Sequence, residues 1–396
     1  MQFYKEYVNQ AIKDLGFKQL TEIQEIVIPE ALKKRDIIGC SQTGSGKSHA
    51  FLIPVFERLN ESNPQVQTVI LSPTRELALQ LYDAVVHIAS FSETPIDIRL
   101  YTGGKDRARE MERLKKHQPQ IVIGTPGKVY DLAIKENLLK IYTAQQLIID
   151  EADMALEIGF LDDIDAIART MPKSLQMMVF SATVPEKLKP FLRKYLEKPF
   201  EVNIEDKSLS SLNITHRFIR VLDEEDRDRG LFKWVEQLNP YLCLIFANKK
   251  ENVDRLAKTL YQKNENVVAL HGDIPPRKRK QILKDINRLK YQYVVASDMA
   301  SRGLDIEGVS HIINYDLPKD MAFFVHRIGR TGRMGASGET ISFFTGKDAH
   351  AFEFIEKHNI KIELKGTKPP MKQTTKKRTS KPSIKKDTKP TRKKRR

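Results

Sequence analysis

Residues 146–160 read QLIIDEADMALEIGF, so three carboxylates, Asp150, Glu151 and Asp153, stand directly behind a run with the pattern of a buried strand. By itself such a cluster is most simply a helix start, where acids complement the positive end of the backbone dipole. A second segment changes that reading. About a hundred residues earlier, DIIGCSQTGSGKSHAFLIPVF joins an apolar strand to an apolar helix through a glycine-rich turn. Glycines let backbone N–H groups face an anion at a helix N-terminus, Lys47 adds a point charge for outer phosphates, and the Ser48 hydroxyl suits Mg²⁺. The turn Ser41, Gln42, Thr43, Gly44, Ser45 and Gly46 is therefore read as a phosphate-binding loop, with Ser41 standing where the general pattern asks for glycine. With Mg-nucleotide on that loop, Asp150 has a cation to hold, usually through water, and Glu151 has a water to orient or deprotonate.

The second half of the chain carries HRIGRTGR, with Arg327, Arg330 and Arg333 spaced by three and small or apolar residues between them. The segment reads as a tight turn presenting guanidinium groups. A guanidinium brought to a γ-phosphate stabilises the charge of phosphoryl transfer, and hydrolysis then depends on its arrival. A phosphate loop in one half and arginines in the other make closure of a cleft the switch.

Positioning these groups takes strands that end at a common edge. Short apolar runs (DIIGC, TVIL, IRLY, QIVI, QLII and MMVF, then FIRV, LCLIF, VVAL, YVVA, HIINY and TISFF) alternate with longer amphipathic segments. That alternation predicts parallel α/β sheets, whose ligands lie beyond the carboxyl ends of the strands. A chain of 396 residues favours two domains, and there is no repeat at a solenoid period. The polar, serine-rich stretch 197–216 is the expected break. One architecture used twice is the expectation: residues 1–205 and 206–364, then a tail, 365–396.

Composition narrows the class. No apolar run approaches the ~20 residues that span a bilayer, and the N-terminus has neither a signal-peptide nor a transit pattern, which favours a cytoplasmic protein without membrane contact. Cys40 and Cys243 each sit in an apolar run and read as small buried residues rather than a disulfide. The formal charge of +16 is almost all in one place: residues 365–396 hold 15 Lys and Arg against one Asp, or +14. That tail has too few apolar side chains to offset its ordering entropy, so disorder is expected, with a salt-sensitive, sequence-independent affinity for nucleic acid.

Taken in order, GFKQLTEIQ, SQTGSGKS, PTRELA, TGG, TPGK, DEAD, SAT, LIFANK, HGD, ASDMASRGLD and HRIGRTGR make residues 1–364 resemble the DEAD-box ATP-dependent RNA helicases, and the basic tail and compact length look most like their bacterial cold-shock branch. The resemblance implies two tandem RecA-like domains, each a mostly parallel sheet flanked by helices, with ATP and Mg²⁺ as cofactors. It implies that Phe17 stacks on adenine and that Gln24, with Thr21 beside it, reads the base edge. Leu20 stands where the family usually has proline. Lys47, Asp150, Glu151, Arg330 and Arg333 are then catalytic, Ser48 and Asp150 hold the metal, and Asp305 meets the ribose. Asp153, Ser181, Ala182, Thr183 and His326 couple nucleotide state to closure. The implied RNA path uses Pro73, Thr74, Arg75, Gly103, Gly104, Thr125, Pro126, Gly127 and Lys128 in the first domain, and Asn248, Arg279, Ser297, Arg302 and Gly303 in the second. Lys128 replaces the usual arginine, Pro276 a glutamine and Ser297 a threonine. Backbone amides, hydroxyls and cations grip RNA without reading bases, so single strands and short duplexes of any sequence are the expected partners.

The expected activity is RNA-stimulated ATP hydrolysis with local, non-processive strand separation by a monomer. Rival readings are a DNA-directed ATPase and an ATP-gated RNA clamp or RNA chaperone whose annealing lies in the basic tail. Ribosomal-precursor and RNA-decay proteins are candidate tail partners, and cold-shock unwinding, ribosome biogenesis and RNA decay are candidate settings.

Overall fold

The computed structural model describes residues 5–41, 45–104, 107–204, 214–263, 265–298, 306, 308–318, 321–331, 337–357, 360 and 362–365, with the backbone alone at 276, 322, 326, 357, 364 and 365. Seven strands build a first sheet: β1 Ile37–Cys40, β2 Thr68–Leu71, β3 Ile98–Tyr101, β4 Ile121–Gly124, β5 Gln146–Ile149, β6 Gln176–Ser181 and β7 Phe200–Asn203. Seven more build a second: β8 Ile214–Arg220, β9 Cys243–Phe246, β10 Val267–Leu270, β11 Tyr293–Ala296, β12 His311–Asn314, β13 Gly338–Phe344 and β14 Ile362–Lys365. The strand orders are β3-β4-β2-β5-β6-β1-β7 and β10-β11-β9-β12-β13-β8-β14. Counting each domain from its own first strand, both are 3-4-2-5-6-1-7, and the pairings are parallel. The expectation of one architecture used twice therefore holds down to strand order.

The apolar runs are continuous because both faces of each sheet are covered. In the first sheet Val69, Leu71, Val122, Leu147, Ile149, Met177 and Val179 enter one core, while the alternate residues Ile70, Ile121, Ile123, Ile148, Met178 and Phe180 enter the other. The second sheet divides the same way, with Cys243, Ile245, Tyr293, Val295 and Ile313 on one side and Leu244, Phe246, Val294, Ala296 and Ile312 on the other. Cys243 is buried and Cys40 only half-buried, and both are free thiols.

Two edge strands depart from the expected boundaries. β7 and the start of β8 lie inside 197–216, so the connection between the sheets narrows to residues 204–213, of which 205–213 lie outside the described residues. β14 reaches Lys365, one residue past the expected end of the second domain. The rest of the basic tail, 366–396, is outside the described residues. Among the described residues no helix is long and apolar enough to cross a membrane.

Candidate active site

Strand order explains why residues far apart in sequence can meet. β5, β6 and β1 are neighbours, with Ile149 opposite Val179 and Cys40 opposite Ser181. Their carboxyl ends therefore bring Asp150 and Glu151, Ser181 to Thr183, and the loop after Cys40 to one stretch of edge. The other half of the same edge gathers β3, β4 and β2, whose ends lead into TGG, TPGK and PTRELA.

The loop is held from several sides. The Ser41 N–H donates to the Ser181 carbonyl at 3.1 Å, and the Ser41 and Ser45 hydroxyls are 2.6 Å apart, so the serine in the glycine position adds a tie across the turn. Gln42, Thr43 and Gly44 lie outside the described residues. Gly46 has φ +95°, and a Cβ there would sit 2.5 Å from Gln24 Nε2 and 2.7 Å from Thr21 Oγ1. Conformation and space both demand glycine. The helix Lys47–Arg58 follows with no acid in its first turn, which leaves its positive end available to an anion. Lys47 is buried, donating to the Ser41 carbonyl at 2.6 Å and lying 3.6 Å from a Glu151 carboxylate oxygen. Ser48 is half-buried at the start of the same helix.

Only two residues, Asp150 and Glu151, separate strand end from helix start, and Glu151 takes the strain. Its φ of +50° and ψ of 54° are left-handed, a conformation costing of order 1–3 kcal/mol off glycine and characteristic of functional turns. Asp150 is buried, and that burial, followed by the charge of Glu151, pushes its pKa up to about 7 against the relief given by Lys47. Ser48 and Asp150 offer the hard oxygen donors that Mg²⁺ takes, and a divalent cation would relieve the charge buried at Asp150. Among the described residues no cluster of three or more His, Cys, Asp or Glu is placed to hold a metal ion.

Asp153 faces away from this pair. Its Oδ2 accepts from the Thr183 N–H at 3.0 Å and hydroxyl at 2.9 Å, and its own N–H donates to Ser181 Oγ at 3.1 Å. Asp153, Ser181 and Thr183 thus meet as expected. The His326 side chain is outside the description.

Gln24 is fully buried and already engaged. Its carbonyl accepts from the Thr21 N–H at 3.0 Å within a capping box, and its amide donates to the Gly46 carbonyl at 3.1 Å. The helix cap and the tie to the glycine-rich loop therefore coexist in GFKQLTEIQ, and both amide atoms of Gln24 have protein partners. Phe17 packs edge-on against His49, with centroids 5.0 Å apart; His49 has no sequence signal beyond its place after Lys47 and Ser48.

On the other half of the edge Arg75 is exposed and cradled by two glycines: a Cβ on Gly103 would fall 2.5 Å from its guanidinium, and one on Gly104 3.1 Å. Thr74 caps the helix Arg75–Ala89 through the Leu77 N–H, Pro73 is buried beside it, and Thr125 and Pro126 start the helix that carries Gly127 and Lys128. Three residues of the expected RNA path have protein partners in this structure. Lys128 pairs with Glu110 at 2.8 Å, both well buried. Arg279 Nε lies 2.8 Å from Glu76 across the two domains. Asn248 accepts from Arg327 at 3.0 Å and donates to the Leu317 carbonyl at 2.9 Å. Ser297 is half-buried, with its N–H on the Leu270 carbonyl; Arg302, Gly303 and Asp305 are outside the described residues.

HRIGRTGR begins in the last turn of the helix Ala322–Ile328 and continues as a turn at Gly329 and Arg330, so Arg327 is helical and Arg330 lies in the turn. Arg327 is 2% exposed, bound to both Asp298 carboxylate oxygens at 2.5 and 2.6 Å, to Asn314 at 3.0 Å and to the Asp316 carbonyl at 2.6 Å, over the Phe246 ring. It braces its own domain. Sequence spacing hid this because Asp298, Asn314 and Asn248 come from three different strand ends. Arg330 is also buried, and Arg333 is outside the described residues.

Two RecA-like domains with these strand-end motifs define a nucleotide-driven helicase core, and comparison with known proteins agrees. Residues 21–191 match the DEAD/DEAH box helicase family and 228–335 the helicase conserved C-terminal domain. The chain is 45% identical over 360 residues to the DEAD-box ATP-dependent RNA helicase CshB of Listeria monocytogenes, and equally to that of Bacillus subtilis, covering 91% of this chain and 82% of each relative. It therefore belongs to the DEAD-box ATP-dependent RNA helicases. Among solved structures, S. cerevisiae Dbp5 bound to RNA and ADP BeF3 is similar with a TM-score of 0.79 at 28% identity, covering 91% of this chain and 93% of that one. Mss116p bound to ssRNA and AMP-PNP is similar at 0.78 and 26%, covering 92% and 78%.

Proposed function

We propose that RNA-stimulated ATP hydrolysis drives closure of the two domains around ATP and a single RNA strand, giving local, non-processive strand separation or remodelling of RNA–protein complexes. ATP entering the loop draws Lys47 from Glu151 to the outer phosphates, which frees Glu151 to orient the attacking water and take its proton. Ser48 and Asp150 would hold Mg²⁺, which would supply positive charge to offset that of the phosphates. Arg330 and Arg333 reach the γ-phosphate from the second domain once the cleft closes, and Asp153 with Ser181 and Thr183 relays that closure. ATP and RNA both favour the closed form, so each tightens the other by the same factor. A duplex that cannot follow the closed track loses a strand. The basic tail adds an arm for RNA, and the similarity to CshB supports a cold-shock setting.

The observation that carries this reading is the meeting of Lys47 and Glu151 at 3.6 Å, on the edge where β5, β6 and β1 end together. The similarity to RNA- and nucleotide-bound helicases and the Arg279–Glu76 contact across the domains support the closing step. The test is Glu151→Gln, measured as ATP turnover with and without RNA. Removing a general base costs about 10²–10⁴-fold, so stimulated hydrolysis should fall at least a hundredfold while ATP still binds; retained turnover removes Glu151 from the mechanism.

A further inference from the structure

The first sheet ends at β3, and a groove of about 550 Å³ runs along that edge. On one side it is lined by Leu79 and Tyr82 of the helix Arg75–Ala89; on the other by Arg113, Lys116 and His117 at the end of the helix Arg107–Lys116, with Arg99 of β3 between them. Positions 75, 79 and 82 share one helical face, so the groove continues from Arg75, and β3 itself leads into Gly103 and Gly104.

Charge identifies the occupant. The acid that lines the groove, Glu110, is matched by Lys128 at 2.8 Å, and Asp97, just before β3, is matched by Arg99 at 2.6 Å. Arg113 and Lys116 are exposed and make no ion pair among the described residues. The helix that carries them reads RAREMERLKK, five cations against two acids. Unmatched cations beside an aromatic ring, in line with a phosphate-gripping track, suit a single nucleic-acid strand: cations follow the backbone, and a ring offers a face for a base.

We propose that this groove is an accessory single-stranded RNA site that prolongs the track beyond Gly103 and Gly104, with Arg113 and Lys116 on phosphates and Tyr82 against a base. The inference rests on the RNA path proposed above. It makes the chain prefer long single strands to short ones without any new contact to ATP.

The test compares an RNA of about six nucleotides with one of about twenty, bracketing ordinary single-strand site sizes, as activators of ATP hydrolysis by the full chain. The double variant Arg113→Glu with Lys116→Glu should raise the concentration of the long RNA needed for half-maximal stimulation about tenfold. It should also lower the slope of log affinity against log salt by about 1.4, at ~0.7 per phosphate contact. Response to the short RNA should be unchanged, which also shows that the variant folds. Lys173→Glu with Lys187→Glu changes net charge equally away from the groove and should leave both responses intact. Equal loss on both RNA lengths, no loss on either, or the same loss in the control variant overturns the groove alone. Failure of either RNA to stimulate the unaltered chain overturns the RNA reading and the groove with it.

Discussion

The two sheets share one strand order, yet their first strands lead to opposite chemistry. After β1 comes a glycine-rich turn and a helix whose first turn carries no acid. After β8 comes Asp223, then a helix opening with Glu224, Glu225 and Asp226. There the Asp223 carboxylate accepts from the Asp226 N–H at 2.8 Å, and Asp226 accepts from the Leu222 N–H at 3.0 Å. The second helix start is thus already occupied by its own carboxylates, which satisfy its N–H groups and complement its dipole. The strand in the fifth place repeats the contrast. β5 is followed by Asp150 and Glu151, with Lys47 3.6 Å from Glu151; β12 is followed by Asp316, which Arg227 pairs with tightly. Fold duplicates a place for a ligand, and the residues at that place decide whether one can enter.

After the loss of hydrolysis expected of Glu151→Gln, the largest effect should come from Gly46→Ala. A Cβ at φ +95° against Thr21 and Gln24 should lower ATP affinity at least tenfold by titration with a fluorescent ATP analogue. An unchanged affinity would mean the loop of the first domain is as indifferent to its residues as the second domain's helix start. Asp153→Asn comes next: it keeps the shape of the acid but weakens its two bonds from Thr183, so unwinding per ATP hydrolysed should drop several-fold while ATP affinity barely moves. Equal losses in both would merge Asp153 with the metal-side acids.

A pH series isolates Asp150. Its folded pKa, about 7, lies above the ordinary carboxylate range, so the folded chain binds the proton more tightly than the unfolded one. That contribution favours folding at low pH and is lost as pH rises through about 7. Asp150→Asn should therefore raise the nucleotide-free chain's stability to urea by about 1 kcal/mol or more at pH 8, with the gain gone at pH 4. A gain independent of pH would point to packing instead. The smallest effect belongs to the second domain: Asp223→Ala should cost about 1 kcal/mol of its stability, as loss of an N-cap does, and leave ATP affinity alone.

Much of this was legible in the chain. The inner strands could be read because they are covered on both faces, as Val69 to Leu71 and Leu244 to Phe246 show. β7 could not, because an edge strand needs to bury only one side, and Phe200, Glu201, Val202 and Asn203 look like linker residues. The loop and acids were legible because phosphate and metal impose residue types at fixed spacing. The partners that restrain site residues were not: Glu110 for Lys128, Glu76 for Arg279 and Asp298 for Arg327 come from distant elements, and their pairing depends on strand order. Arg327 shows the cost of spacing alone, since a three-residue interval placed it with the phosphate-seeking arginines although its guanidinium is bound within its own domain by Asp298, Asn314 and Asn248.

The contact between Lys47 and Glu151 has a thermodynamic consequence. Before nucleotide arrives the loop carries its own internal counterion, so binding exchanges one partner for another rather than creating an ion pair from hydrated ions. Part of the Coulombic attraction is already present in the resting protein, which should flatten the salt dependence of ATP affinity relative to the steep dependence expected for RNA. With nucleotide on this loop as proposed, ATP affinity should hold steady across ionic conditions while affinity for RNA rises and falls with them.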